Sequence, residues 1–323
     1  MRPQLFGMRH ILVTGGAGFI GSNLISALLK DFKVTAIDNL DDFYSRDQKE
    51  LNLKPLFESG NFTFIEGDLR KTEDLEKVPE IDVIIHLAAR AGTRPSINEP
   101  MLYHDVNVRG TQILLEFAKN RHIKQFLFAS SSSVYGINEN VPWTEDERLM
   151  PISPYASTKL AGEMLGHVYS KLYGIRFLAL RFFTVYGPAQ RPDLAIHSFF
   201  RAMLNDEPIS VYGDGSTSRD YTYINDIIKG VIAAIDYDKT GFEIINLGNN
   251  KTVTLAELIE AIETTCGKKA LIKNLPQQPG DVLRTYANIS KAKDLLGYNP
   301  ATNLEEGLEK FYAWFKNNRS ILQ

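Results

Sequence analysis

Cysteine is nearly missing from this chain of 323 residues: Cys266 is the only one. One thiol cannot close an intrachain disulfide or build a cysteine-rich metal site. The six histidines, at 10, 86, 104, 122, 167 and 197, never pair at ligand spacing, so no metal is expected. Neither sign of charge dominates: the net charge is −3, which gives no general attraction to nucleic acid or to acidic membranes. No apolar run approaches the roughly 18 residues of a membrane span. Residues 1–9 carry two arginines and little hydrophobic length, and read as a short N-terminal extension rather than a signal peptide. Four Asn-x-Ser/Thr matches, at Asn61, Asn250, Asn288 and Asn318, are then chance occurrences in a chain expected to be cytoplasmic. What remains is 44% hydrophobic and 23% charged, ordinary for a globular protein with a sizeable core. At this length two lobes are expected.

The chain is organised around residues 130–159. A hydrophobic strand, Gln125 to Ala129, runs into Ser130, Ser131, Ser132 and Ser133, and a helical pattern then opens with Tyr155 and Lys159. Residues four apart on a helix share a face. An ammonium beside a phenol favours the phenolate and lowers its pKa from about 10. Such a phenol can act as a general base on a substrate hydroxyl, and a serine can bind the same oxygen. A surface Tyr and Lys after a polar turn is the plain alternative, and the rest of the chain decides between them.

His10 to Thr14 is a short apolar strand, followed at once by Gly15, Gly18 and Gly21 and by a helix with Phe19 and Ile20 at its start. Strand, glycine loop and helix together make a dinucleotide fingerprint. Gly15 permits the tight turn, Gly18 lets a pyrophosphate approach, and Gly21 lets helix and strand pack. The free N–H groups of the helix start face the anion. The second strand ends at Asp38, whose carboxylate suits the ribose hydroxyls of NAD and repels the extra phosphate of NADP. A third strand ends near Asp68, which either meets the adenine amino group or caps a helix from Thr72 onward. The fourth, Asp82 to Ala89, is apolar on both faces, as a central parallel strand must be; its small Ala88 and Ala89 suit a cofactor above, and His86 within it reads as structural. Residues 90–96 read as an arginine-rich loop, 107–122 and 153–173 as helices, and 182–192 as a loop. Phe242 to Leu247 reads as a strand returning to the sheet. This alternation predicts an α/β fold with a doubly wound, Rossmann-type parallel sheet, right-handed crossovers and ligand beyond the strand C-termini. The expected Rossmann domain spans 10–183 with a returning segment at about 222–250; a smaller α/β lobe takes 184–221 and 251–323.

GGAGFIG at 15–21, Asp38, HLAA at 86–89, SSSSVYG at 130–136, YASTK at 155–159 and RFFTVYGP at 181–188 stand together. Jointly they resemble the extended short-chain dehydrogenase/reductase family, the nucleotide-sugar epimerases and dehydratases, over essentially the whole chain. The resemblance implies a seven-stranded NAD domain, a sugar-nucleotide lobe and a homodimer through a four-helix bundle. It implies Tyr155 as base, Lys159 on the nicotinamide ribose, and Ser131 on the substrate hydroxyl with Ser132 in reserve. It extends the cofactor set to Asn39, Leu69, Leu87 and Asn107. Dehydratases of the family carry an Asp-Glu pair where this chain has Ser132 and Ser133, and decarboxylating relatives generally carry a glutamate before VYG; both absences point to an epimerase. RAGTRPS at 90–96, RFFTVYGPAQRPD at 181–193, GDGSTSRDYTYI at 213–224 and QPGDVLRTYANISKA at 278–292 are similar to the UDP-glucuronate 4-epimerases, with Ala189 in place of an arginine and Leu194 in place of a methionine. The implied reaction is 4-epimerisation of UDP-glucuronate through a 4-keto sugar. Arg219 and Arg284 are then candidates for the phosphates, Arg191 and Thr184 for the carboxylate with Ser132 and Ser133 as additions, and Arg94 and Asp281 for further substrate contact. Surface arginines and ion pairs are the plain readings of these cations. Competing functions are a UDP-glucose or UDP-N-acetylglucosamine 4-epimerase, a UDP-glucuronate decarboxylase and a non-catalytic NAD-binding protein.

Overall fold

The computed structural model describes residues 8–276 and 282–322. Strands β1 His10–Thr14, β2 Lys33–Asp38, β3 Phe62–Glu66, β4 Val83–His86, β5 Gln125–Ser131 and β6 Arg176–Phe182 alternate with helices. After the short β7 Thr184–Tyr186, β8 Ile209–Tyr212, β9 Ser218–Arg219 and β10 Tyr221–Tyr223 comes β11 Phe242–Leu247, then β12 Val253–Thr254 and β13 Ile272–Leu275. Seven strands form one sheet in the order β11-β6-β5-β4-β1-β2-β3, and every pairing in it is parallel. The strand order reverses between β1 and β4, which opens a crevice at their C-terminal ends.

The parallel strands are buried on both faces, which is why they read as unbroken apolar runs. Along β5, Phe126 and Phe128 enter one core cluster while Leu127 and Ala129 enter the other; Phe177 and Leu178 of β6 divide in the same way. Each such Phe or Leu side chain contributes about 1.5–3 kcal/mol relative to exposure. The helix Pro154–Tyr173 starts where Ser153 accepts the Ala156 N–H, with Pro154 in the first turn, and stops at Gly174. Its glycines bring it hard against the sheet: a Cβ on Gly162 would lie 2.3 Å from the Phe128 ring, and one on Gly166 2.2 Å from that of Phe177. This contact fixes the height at which Tyr155 and Lys159 stand over β5.

Three expectations about local structure need correction. Residues 90–96 are not all loop, because a helix runs Thr93–Asn98. Pro95 lies in its first turn, where no backbone N–H is needed. The helix expected from 107 begins earlier, as Pro100–His104, continues through a wide turn at Asp105–Arg109 and runs on as Gly110–Asn120. The loop after Phe182 contains β7, which pairs with β10. Outside the main sheet, β7–β10, β8–β13 and β9–β12 form two-stranded pieces. Among the described residues no helix is long and apolar enough to cross a membrane.

Candidate active site

The C-terminal ends of β1, β2, β3, β4 and β5 and the segment around Thr184 and Arg191 surround a cleft of about 530 Å³. On the floor, Gly15 has φ +72° and accepts the left-handed turn only because it lacks a side chain. A Cβ on Gly15 would lie 2.8 Å from the Ala88 nitrogen, and one on Gly21 2.2 Å from the Gly15 carbonyl oxygen. Backbone is thus bare beneath the space where a pyrophosphate would lie, with Gly18 at the start of the helix Phe19–Leu28. At one end, the Asp38 carboxylate accepts N–H bonds from Ala17 (3.0 Å) and Leu40 (2.9 Å). Burial pushes its pKa up, while the Leu40 N–H, Lys49 and the Ala17 N–H pull the other way. This donor and acceptor set fits a dinucleotide.

At the other end, Tyr155 stands beside Ser131 and Lys159. The Lys159 ammonium is buried, donates to the Ala129 carbonyl at 2.7 Å and lies 5.9 Å from the Tyr155 ring centre. Burial lowers its pKa to about 8, against an opposing pull from Glu163. The expectation that Lys159 lowers the phenol is not met here. Burial raises the Tyr155 pKa, and the groups that oppose the rise are the Ser131 hydroxyl and Arg191. The Ser131 hydroxyl also accepts the Ser133 N–H at 3.2 Å. Behind Lys159 lies a sealed polar network. Arg181 gives Nε and Nη2 to the two Glu163 oxygens at 2.9 and 2.8 Å, and Ser130 donates to Glu163 at 2.5 Å. Arg181 Nη1 meets the Tyr135 hydroxyl, which donates to Asn246.

The cleft is lined by Gly15, Gly18, Phe19, Ile20, Gly21, Asp38, Asn39, Asp68, Leu69, Leu87, Ala88 and Ala89 on the side read as the cofactor's, and by Ser131, Ser132, Ser133, Tyr155, Lys159, Thr184, Arg191 and Arg219 on the side of the chemistry. Among the described residues, the buried Ser133 Oγ has no hydrogen-bond partner. Arg191 gives Nε and Nη2 to Asp193 at 2.9 and 2.8 Å. Asp68 does not cap the helix from Thr72, whose N-cap is Lys71. Its carboxylate is instead gripped by Arg70 through Nε and Nη2, which holds its pKa below the ordinary value.

Three candidates lie elsewhere. Asn107 does not line the cleft: its amide is spent on Arg90, accepting the N–H at 2.8 Å and donating to the carbonyl at 3.0 Å, and on Thr158. It fastens the chain after β4 to the Tyr155 helix. Arg94 also stands outside the wall, exposed and stacked 4.3 Å over the Tyr212 ring of β8. Arg284 is exposed beside β9, while Val282 and Thr285 of the same segment face the cleft. Asp281 lies outside the described residues. His86 is structural, as read: it bonds Thr14 at 2.7 Å and Thr111 at 3.0 Å, and burial drops its pKa to about 3. Of the two departures from the epimerase pattern, Leu194 lines the cleft and Ala189 does not. The sequence reading missed Arg90, Phe43 and Tyr44 on the wall; two aromatics and a lysine within 43–49, just past Asp38, were the available signal.

An open parallel sheet with a glycine-floored cleft and a serine, tyrosine and lysine at its far end defines a dinucleotide-binding α/β protein of the short-chain dehydrogenase/reductase kind. The pattern described as GDP-mannose 4,6 dehydratase matches residues 12–311, and the chain belongs to that family. A UDP-glucuronate 4-epimerase from Thermodesulfobacterium geofontis is 42% identical over 322 residues, 98% of this chain and 99% of the relative. The crystal structure of UDP-glucuronic acid 4-epimerase from Bacillus cereus, in complex with UDP-glucuronic acid and NAD, is 42% identical with a TM-score of 0.90, covering 95% of this chain and 99% of that one. A UDP-N-acetylglucosamine 4-epimerase from Methanobrevibacter ruminantium, in complex with UDP-N-acetylmuramic acid, is 35% identical with a TM-score of 0.89, covering 97% and 100%.

Proposed function

We propose that the protein is an NAD-dependent UDP-sugar 4-epimerase that interconverts UDP-glucuronate and UDP-galacturonate through a transient 4-keto sugar. The observation that carries this reading is the presence of Arg191 in one cleft with Tyr155, acting on its phenol. The 42% identity to the Bacillus cereus and Thermodesulfobacterium epimerases supports it. Ser132 and Ser133 stand where water elimination would need an acid and a base, which sets the chain apart from the dehydratases for which its family is described.

In this mechanism Tyr155 takes the proton of the C4 hydroxyl while Ser131 shares the oxygen. NAD, when bound, accepts the C4 hydride and returns it to the other face of the sugar. Lys159 holds the nicotinamide ribose, and its ammonium persists at neutral pH because its pKa stays near 8. Asp38 takes the adenosine ribose, Asp68 the adenine end, and Arg219 the phosphates while the sugar turns. The 4-keto glucuronate is a β-keto acid that loses carbon dioxide readily. Arg191, Thr184, Ser132 and the unpartnered Ser133 hydroxyl are assigned to its carboxylate and hold it away from the cleavage geometry.

A UDP-glucose or UDP-N-acetylglucosamine epimerase is the second reading. It is favoured by one observation, that Arg191 already spends two donors on Asp193. The domain division at 10–183 and 222–250 against 184–221 and 251–323 is retained with this function. A homodimer is proposed through the helix Pro154–Tyr173, whose Met164, Val168 and Leu172 are exposed at four-residue spacing. A single cysteine and NAD chemistry suit a cytoplasmic setting.

The test incubates purified protein, without added cofactor, with UDP-glucuronate and separately with UDP-glucose, and follows the sugar signals by NMR. Formation of the galacturonate epimer without pentose is expected. Conversion of UDP-glucose alone moves the assignment to the neutral-sugar epimerases.

A further inference from the structure

Arg191 sits on a segment that is held from the cofactor side of the molecule. The buried Gln48 amide donates to two successive carbonyls of that segment, Gln190 at 3.0 Å and Ala189 at 3.4 Å. Asn23 of the helix Phe19–Leu28 donates to the Pro188 carbonyl at 3.0 Å. Between these ties Ala189 is kept at φ +68°, a conformation that a residue with a Cβ seldom adopts alone. The guanidinium of Arg191 lies 5.4 Å from the Phe43 ring centre, and that of Arg90 lies 5.2 Å from it. Phe43 and Gln48 both follow closely on Asp38, the carboxylate at the end of β2. Asp193, by contrast, is two residues from Arg191 on the same segment and is no anchor from outside it.

We infer that Gln48 and Phe43 are positioning residues that set Arg191 over the sugar, so that retention of the substrate carboxylate is controlled from the chain segment beside the adenosine-ribose seat. The inference rests on the function proposed above. A displaced Arg191 leaves the carboxylate of the 4-keto sugar free to rotate. The bond from C5 to the carboxylate then breaks, its electron pair forms the enolate across C4 and C5, and C5 takes a proton from water. The products are carbon dioxide and UDP-4-ketopentose, with the hydride taken from C4 left on the cofactor as NADH; return of that hydride to C4 gives the UDP-pentose instead.

The test uses the holoenzyme as purified, with UDP-glucuronate as probe, and measures the ratio of epimer to decarboxylated product by NMR and trapped carbon dioxide. Gln48→Met keeps the bulk and removes both donors. It is expected to raise the decarboxylated fraction at least about tenfold, with bound NAD per chain unchanged and the fold retained at a lower unfolding temperature. A fold defect alone would lower total turnover and leave that partition where it was. Arg191→Ala should raise the fraction further, and the double variant should match Arg191→Ala. Phe43→Leu is the second probe, and Phe43→Tyr, which keeps the ring, should return the native partition. A native partition in both Gln48→Met and Phe43→Leu, beside a changed one in Arg191→Ala, overturns the inference alone. A native partition in Arg191→Ala removes the carboxylate role of Arg191, and the inference with it. Should Gln48→Met fail to fold, the Phe43 pair decides.

Discussion

Two arginine–carboxylate pairs of nearly the same geometry flank the Tyr155 and Lys159 turn, one beside each residue, and do different work. Arg181 and Glu163 meet through two bonds of 2.9 and 2.8 Å, and so do Arg191 and Asp193. The first pair is sealed, its side chains 1% and 0% exposed; the second stands at the cleft, at 18% and 37%. The sealed pair has every neighbour it needs from the protein: Ser130, Tyr135 and the Glu145 carbonyl complete it. It joins β5, β6 and the Tyr155 helix and places a negative charge behind Lys159. Arg191 instead faces a phenol, an aromatic ring and open space. The difference is one of surroundings, since the residue types match: a guanidinium enclosed by partners holds the scaffold, and one left at a cavity wall can meet a substrate anion.

Breaking the sealed pair should have the largest effect. Glu163→Ala leaves a buried, unpaired guanidinium and should destabilise the fold by about 3–5 kcal/mol in chemical denaturation. A loss below about 1 kcal/mol would mean that water or another group replaces the carboxylate. Arg191→Ala should cost less than about 1 kcal/mol of stability. A large loss there would collapse the contrast between the two pairs.

The pH dependence sharpens the comparison. Burial sets the Lys159 pKa at about 8 in the fold against 10.5 in the unfolded chain. Between these values the unfolded chain binds more protons, so this site adds stability as pH rises through that window and loses it as pH falls to about 8. The Tyr155 phenol is held above its ordinary value, so above about pH 8 each gain in phenolate is offset by loss of the Lys159 ammonium, and activity should level off there. Lys159→Arg should remove that levelling, since a guanidinium stays charged. Arg191 opposes the upward shift of the Tyr155 phenol, so Arg191→Ala should lower kcat across the plateau and Arg191→Lys should restore part of it. The smallest effect is expected for Asp193→Asn, a change in KM for UDP-glucuronate within about 1 kcal/mol, because this ion pair is partly solvated.

Most of the fold was legible because a doubly covered parallel strand is an apolar run that points nowhere else, as at Val83 to His86. The glycine floor, Asp38 and the Tyr155–Lys159 spacing were legible for a related reason: each is confined to one strand end or one helical turn. The positions of Arg94, Asn107 and Arg284 were not. Whether an arginine in the chain after β4 faces the cleft or stacks on Tyr212 depends on how β8 packs across it, which no local pattern records. Asn107 carries the chemistry of a ligand contact, yet a wide helical turn aims it at Arg90. Gln48 was invisible for the same reason, since its partners lie some 140 residues further along the chain.

The most direct test of the account is kcat/KM for UDP-glucuronate, relative to UDP-glucose, in the native protein and in Arg191→Ala with NAD content matched. A charged hydrogen bond worth about 1.5–3 kcal/mol predicts that the ratio falls by roughly tenfold to a hundredfold. An unchanged ratio would contradict it and leave Arg191 as one more structural cation.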